Sequence, residues 1–304
     1  MKAPDRKVPA NDRLLDYSSG SLGRRIRRSR FTRAVRSNPV ASLGLFIVCI
    51  FVLVALFPGA FTRHDPIDVN LLDKLASPSS KYIFGADHLG RDLYARVVYG
   101  ASVTLGNVLV VITIAGSIGL LVGSAAGYLG GWVDEGLMRV TDVFLTFPTF
   151  ILAMAINTVL GRGQMQTMVA VAIAWWGSYA RLTRSLILSV KYEEYVTAAR
   201  TVGAGTLRVV TRHVLPNCFS TILVKMTMDI GFVALTTSGL SFLGLGVLPP
   251  TPEWGRMVNE GRNYLLLQWW ASTFPGLALF LFVVGANLLG EIVRDWLDPS
   301  GINR

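Results

Sequence analysis

The chain has 304 residues, 52% of them hydrophobic and 16% charged, with a mean hydropathy of +0.48 and a formal charge of +10. Soluble domains average about 25% charged residues, so this balance excludes an ordinary soluble globule and points to a membrane protein. Two cysteines, Cys49 and Cys218, lie in or beside apolar runs; they define neither a disulfide framework nor a paired-cysteine metal site, and read as ordinary buried thiols.

Residues 1–38 form a basic tail with eleven Lys and Arg. It is too long and too basic for the n-region of a cleavable signal, and no A-x-A site closes the next apolar run. Within it, LGRRIRRSRFTRAVRSNP (22–39) intersperses Leu22, Ile26, Phe31 and Val35 with arginines. An interfacial helix on anionic headgroups is one reading. A positive-inside anchor ending at Pro39 is the plainer one and is favoured. No base-reading module accompanies the charge, so nucleic acid is not an expected partner.

A membrane-crossing helix needs about 20 mainly apolar residues, and helix is the default because the backbone must satisfy itself. Six stretches qualify in chain order. They are Pro39–Thr62; Val97–Val133, ending in a glycine-rich turn at Gly127, Gly130 and Gly131; Val143–Gly161, with Pro148 near its start; Gly163–Ala180; Cys218–Leu245, interrupted by Lys225 and Asp229; and one within Asn263–Gly290. The fold class is therefore all-α, a six-span polytopic membrane protein. Loop charge sets its orientation. Segment 181–217 carries six Lys and Arg against two Glu, whereas 62–96 has five basic and five acidic residues and 247–270 two of each. The basic tail, 181–217 and the C-terminus fall on one side, which is expected to be cytoplasmic. The expected organisation is a tail over 1–38, a first span over 39–62, an extracytoplasmic segment over 63–96, a five-helix core over 97–295 and a C-terminal tail over 296–304. Within the core lie a cytoplasmic loop, 191–217, and an extracytoplasmic loop, 247–270.

The polar interlude KYEEYVTAARTVGAGTLRVVTRHVLPN (191–217) stands between two apolar regions. Residues 192–201 have helix-forming content, and Ala198–Ala199 leave a small, closely approachable surface. Gly203 and Gly205 bracket a turn, because glycine tolerates positive φ. Leu207, Val209, Val210 and Val214 suggest a second short helix. Pro216 restricts Leu215 and fixes the return into the membrane. Small residues on an exposed helix suit docking into a partner's groove; an ordinary basic loop is the usual fate of such a segment.

This stretch resembles the EAA loop of ABC importer membrane subunits, E-A-A-x3-G-x9-I-x-L-P. Ala198, Ala199, Gly203, Leu215 and Pro216 fall at matching spacing, while Thr197 stands in place of Glu and His213 in place of Ile. Those departures resemble the peptide-importer branch, and Glu194 is the candidate for the acidic function. FGADHLGRDLYARVVYGASVTL (84–105), GYLGGWVDEGLMRVTDVFLTFP (127–148), LSFLGLGVLPPTPEWGRM (240–257) and RDWLDP (294–299) are similar to other segments of that branch. The chain thus resembles the C-type permease subunit of dipeptide and oligopeptide ABC importers, a group that includes nickel permeases.

The resemblance implies a type I importer permease fold in a bacterial inner membrane. It also implies a homologous permease partner, two ATPase subunits that hold ATP and Mg, and an extracytoplasmic substrate-binding protein. Glu193, Glu194, Ala198, Ala199, Arg200, Gly203, Leu215 and Pro216 would form the coupling loop. The chain should bind no cofactor and hydrolyse no ATP itself, since it contains no G-x4-G-K-[ST] loop. His64, His88 and His213 are far apart and make no Cys/His metal cluster, and no nucleophile–base pair stands out.

Lys225 and Asp229, four apart on one helix face, are expected to pair. Ionisable groups inside a span usually face a cavity or a partner, so a polar element of the translocation path and a structural ion pair weigh equally. Arg91 and Asp92 in HLGRD, and Glu253 and Trp254 in PPTPEWGR, are candidates for contact with the binding protein and for an external gate; turn chemistry alone is the alternative. Gly116, Gly119, Gly123 and Gly127 are expected to let helices pack closely. A self-contained secondary transporter would show duplicated halves with broken midmembrane helices, and no convincing repeat is seen. A membrane scaffold without transport is the remaining alternative.

Overall fold

A computed structural model describes residues 39–297, and everything between them is helix, turn or loop, with a single isolated antiparallel bridge between Ala86 and Asp92. The basic stripe at 22–38 and the residues after 297 lie outside the described part. α1 spans Pro39–Leu56 and is followed by a single turn, α2, at Pro58–Phe61. Then come α3 (Leu93–Leu129), α4 (Gly131–Thr146), α5 (Thr149–Leu160) and α6 (Gln164–Val190). The polar interlude holds α7 (Glu194–Thr201) and α8 (Thr206–Val209). α9 (Leu215–Phe242), α10 (Trp254–Gly261) and α11 (Trp270–Leu297) complete the bundle.

By length and apolarity, α1, α3, the helix running through α8 to the end of α9, and α11 can each cross a bilayer, and the bent α4–α5 pair makes up to five. The remaining expected crossing, the fourth in chain order, is α6. It is long enough, with 27 residues, but it is too polar to qualify on composition and sits inside the bundle, packed mainly on α3.

Several expected boundaries move, each for a local reason. The second crossing starts four residues early because Asp92 caps α3, its carboxylate accepting from the Tyr94 and Ala95 amides. At the other end Gly127 stays helical, and the chain breaks at Gly130 and Gly131, with φ of +70° and +54°. The third crossing is no straight span. Pro148 drives Phe147 into extended backbone, and α4 and α5 meet at 95°. The fourth continues ten residues past Ala180. Its arginines are answered by acids on α4: Arg184 grips Asp134 with two hydrogen bonds of 2.5 and 2.7 Å, and Arg181 donates to Asp142 at 2.6 Å. The last crossing begins only at Trp270, because 262–264 form a separate turn. Cys49 is exposed on the outward apolar face of α1, contrary to the expectation of a buried thiol, whereas Cys218 is buried.

The glycine seam forms at three of the four expected positions, while Gly116 faces the Met226 side chain of α9. Gly119, Gly123 and Gly127 lie against α6, where an added Cβ would meet the backbone at Trp176, Ala180 and Arg184. Two apolar cores result. The larger gathers Val111, Tyr179, Val233, Leu240, Trp254 and Phe282; the smaller gathers Ile187, Val196, Val209, Val214, Cys218 and Ile222 at the end carrying the polar interlude.

Candidate functional site: a buttressed helical excursion and a welded cap

The excursion is rooted from below. Val196 of α7 and Val209 and Val214 after the turn are fully buried against Ile187, Cys218 and Ile222. Lys191, at the foot of α7, is buried and donates from Nζ to the Gly127 carbonyl at 3.0 Å, placing a cation at the C-terminal end of α3, where the helix dipole favours it. Arg200 donates to the Lys191 carbonyl at 3.3 Å and lies 5.0 Å from the centre of the Tyr128 ring. The sequence singled out Arg200 but not Lys191 or Tyr128. A lysine three residues before a helix was the only signal, and its partner carbonyl is 64 residues away.

The turn is a glycine turn at one position only. Gly203 has φ +86°, while Gly205 sits at φ −65°, where any residue fits. The expectation for Leu215 is corrected. Rather than turning extended before Pro216, Leu215 is helical (φ −57°, ψ −42°). The reason is a π turn over Val210–Val214, in which the Leu215 amide reaches back five residues to the Val210 carbonyl. The wider turn accommodates a proline that would otherwise crowd the carbonyl four residues before it. The second helix therefore runs without a break into α9. Asn217 fastens this junction, donating to the His213 carbonyl at 2.6 Å and to the Tyr195 hydroxyl at 3.0 Å.

The upper surface is open. Glu193, Glu194, Ala198, Arg200, Gly203 and Pro216 are exposed, Ala199 and Leu215 are half-buried, and Val202 projects with 84% exposure. Tyr195, Ala198, Ala199 and Val202 on one side and Arg208, Arg212 and His213 on the other bound an open concavity of ≈ 510 Å³. Glu193 and Glu194 form no ion pair with the described residues. A small-surfaced helix beside a basic-rimmed concavity, stiff underneath and unfilled above, can receive a complementary partner.

Inside the bundle, Lys225 and Asp229 form the expected pair, with Nζ 2.6 and 2.8 Å from the two carboxylate oxygens. The Trp175 indole N–H also donates to Asp229 at 3.1 Å. The Asp229 side chain is 5% exposed, but that of Lys225 is 38% exposed. The carboxylate is thus buried, while the lysine side chain that pairs with it is partly exposed.

At the opposite end lie the four residues expected to meet the binding protein or form an external gate. Arg91, Asp92, Glu253 and Trp254 are all buried, so in this conformation none offers a face to another protein. Arg91 and Arg96 converge on Asp87 (2.6 and 3.4 Å) and Glu260 (3.1 and 3.3 Å), and Arg256 joins Glu260 at 2.8 Å. Arg96 also donates to the Pro66 and Pro250 carbonyls. Asp92 caps α3, and Glu253 caps α10 by accepting from the Gly255 and Arg256 amides. Burial pushes the Glu253 carboxyl above its ordinary value, against the Arg256 amide and the Ser238 hydroxyl, which favour the charged form. Trp254 donates to the Val97 carbonyl at 2.9 Å and packs edge-on against Phe51 and Phe282.

The same cap brings ligand atoms of Asp87, His88 and Glu260 within 4.8 Å of one another. Both carboxylates are already committed to arginines, so the local charge opposes a cation. The sequence could not reveal this weld, because Arg91 and Glu260 are 169 residues apart.

A polytopic helical bundle of this build, with a rooted polar excursion at one end and a capped opposite end, defines a membrane permease component. The chain belongs to the family described as "Binding-protein-dependent transport system inner membrane component", whose model matches residues 119–301; a second model, "N-terminal TM domain of oligopeptide transport permease C", matches 27–78. It is a multi-pass protein of the bacterial inner membrane and a permease component of the ABC importer class. It is 42% identical over 257 residues to the nickel transport system permease protein NikC of Escherichia coli (strain K12), covering 84% of this chain and 93% of that one. It is 40% identical over 266 residues to the probable D,D-dipeptide transport system permease protein DdpC of the same organism (88% and 89%). It is 37% identical over 300 residues to the di/tripeptide transport system permease protein DppC of Pseudomonas aeruginosa (strain UCBPP-PA14), covering 96% of each. Among solved structures, one of the MetNI methionine ABC transporter in inward-facing conformations matches with a TM-score of 0.53 at 18% identity, over 67% of this chain and 97% of that one, which shows the shared fold.

Proposed function

We propose that the chain forms half of the translocation pathway of an ATP-driven importer, and that residues 191–217 are the element through which the motor moves it. The basic end faces the cytoplasm and the welded cap faces outward, as the charge of 181–217 requires. A homologous permease supplies the other half of the path. Two ATPase subunits carry ATP and Mg, and an extracytoplasmic binding protein delivers substrate. The observation that carries this reading is the excursion itself: its underside is buried in the bundle, and its small-residue face and concavity are open. ATP closure of the motor draws the docked helix with it. The permease then shifts between inward- and outward-open states by differential binding, not by chemistry in this chain.

The substrate class is di- or oligopeptides, supported by the full-length likeness to the di/tripeptide relative; nickel is the second reading, supported by the 42% identical relative. The test is ATP-dependent uptake of tritiated dialanine and of nickel(II) by the reconstituted complex with its own ATPases and binding protein. Dialanine uptake supports the first reading, nickel uptake alone moves the assignment to the second, and ATP-independent uptake by this chain alone contradicts both. Lys225 lines the path in this account, with Asp229 tuning it. Replacing the pair by Lys225→Met with Asp229→Asn is expected to lower uptake by about tenfold, equivalent to roughly 1.4 kcal/mol, with the complex intact. Unchanged uptake and specificity would leave the pair a purely structural role.

A further inference from the structure

α6 and α9 run antiparallel and are tied at three levels. At the basic end Ile187 packs with Cys218 and Ile222. Midway, Trp175 donates to Asp229 at 3.1 Å. At the cap end Thr167 donates from its hydroxyl to the Leu245 carbonyl at 3.2 Å. The last tie is part of a larger knot. The Leu245 carbonyl also receives the Gly163 amide at 3.2 Å and the Asn157 side-chain amide at 3.2 Å, and Asn157 donates to the Thr167 hydroxyl at 3.0 Å as well. Three donors, one each from α5, the α5–α6 turn and the first turn of α6, thus meet one carbonyl just beyond the end of α9.

Asn157 is fully buried, and its Oδ1 has no donor among the described residues. A buried amide left half-satisfied costs more than an apolar side chain of the same size. What it gives in return is direction: it aims both of its hydrogen bonds at the junction of α5, α6 and the end of α9. We propose that Asn157 is a positioning residue, the outer clasp that makes α5, α6 and α9 travel as one body, so that displacement of the excursion at the basic end arrives undiminished at the cap end. This rests on the coupling role proposed for 191–217.

The experiment uses the complete complex in lipid nanodiscs and proteoliposomes. Nitroxides are placed at exposed Arg162 and Leu248, on either side of the clasp, with Cys49→Ala to remove the exposed thiol. The distance between them is expected to be the same in the nucleotide-free and ATP-trapped states of the wild-type chain, and to differ between the two states in Asn157→Leu. Uptake per ATP hydrolysed is expected to fall about tenfold in Asn157→Leu, as the loss of two net hydrogen bonds allows, with ATPase activity retained. Thr167→Val removes the same tie from the other side and serves if Asn157→Leu fails to assemble; Thr167→Ser should restore coupling. A wild-type distance that changes with ATP, or variants that couple as well as the wild type, would overturn the clasp. Failure of the wild-type complex to show ATP-driven uptake would instead overturn the importer reading.

Discussion

Gly203→Val should abolish ATP-driven uptake while leaving the complex assembled. Gly203 closes α7 with φ +86°, its amide bonded to the Arg200 carbonyl at 2.9 Å and the next amide, of Ala204, to the Ala199 carbonyl at 3.1 Å. That is a left-handed helix end, which glycine adopts freely. An L-residue there costs roughly 1–2 kcal/mol, and a β-branched one more. No atom lies within 4 Å of an added Cβ, so the damage is to the backbone path and not to packing in the bundle. α7 would be re-aimed relative to α8 while Val196, Val209 and Val214 stay rooted. Uptake should fall at least tenfold, with partner subunits still recovered in one peak by size exclusion. Gly205→Ala is the internal control: at φ −65° it should be nearly silent. Equal effects at the two glycines would contradict the argument.

Asp87→Ala should be the most destabilising single change at the cap. One carboxylate there accepts from the Leu89 and Arg91 amides at 2.8 and 3.1 Å and pairs with the Arg91 and Arg96 guanidiniums. Removing it leaves three arginines facing Glu260 alone in a buried site. Breaking a buried pair by deleting one partner costs on the order of 3–5 kcal/mol. In a chain of this size that is a fall of very roughly 10 °C in thermal midpoint, measured on the purified protein in detergent. Asp87→Asn keeps acceptors for the two amides and should fall between. A midpoint unchanged in Asp87→Ala would show that the cluster does not hold the cap.

Apolar length made most of the crossings legible, but it supports four, or five with the bent α4–α5 pair, and α6 is too polar to be counted that way. The ends of the crossings were not legible, because the residues that end an apolar stretch on paper can be matched by neighbours in space. Arg181 and Arg184 stop the fourth crossing in the sequence, yet Asp142 and Asp134 let α6 run on to Val190. The excursion was readable as helix, turn and helix from local chemistry at Ala198, Ala199 and Gly203. Its continuation through Pro216 was not, since a π turn carries no composition signal. The cap was the least legible part. Arg91, Asp92, Glu253 and Trp254 stand in glycine- and proline-rich segments that look like surface; Arg91 is turned inward by Asp87 and Glu260, Asp92 and Glu253 by capping α3 and α10, and Trp254 by Val97, Phe51 and Phe282. A capping signal was present in Asp92 and Glu253, each an acid immediately before a helix.

A nucleotide-driven partner that grips the 191–217 excursion from the cytoplasm is the central element of this transport scheme. The most direct measurement places a photo-crosslinking amino acid at Val202, beside the concavity, in inside-out membrane vesicles of cells making the whole system. Irradiation should yield a covalent adduct with an ATPase subunit, and a membrane-impermeant thiol reagent should reach Val202→Cys in those vesicles but not in right-side-out ones. Labelling of Val202→Cys from the outer face, or no ATPase adduct with or without ATP, would contradict it.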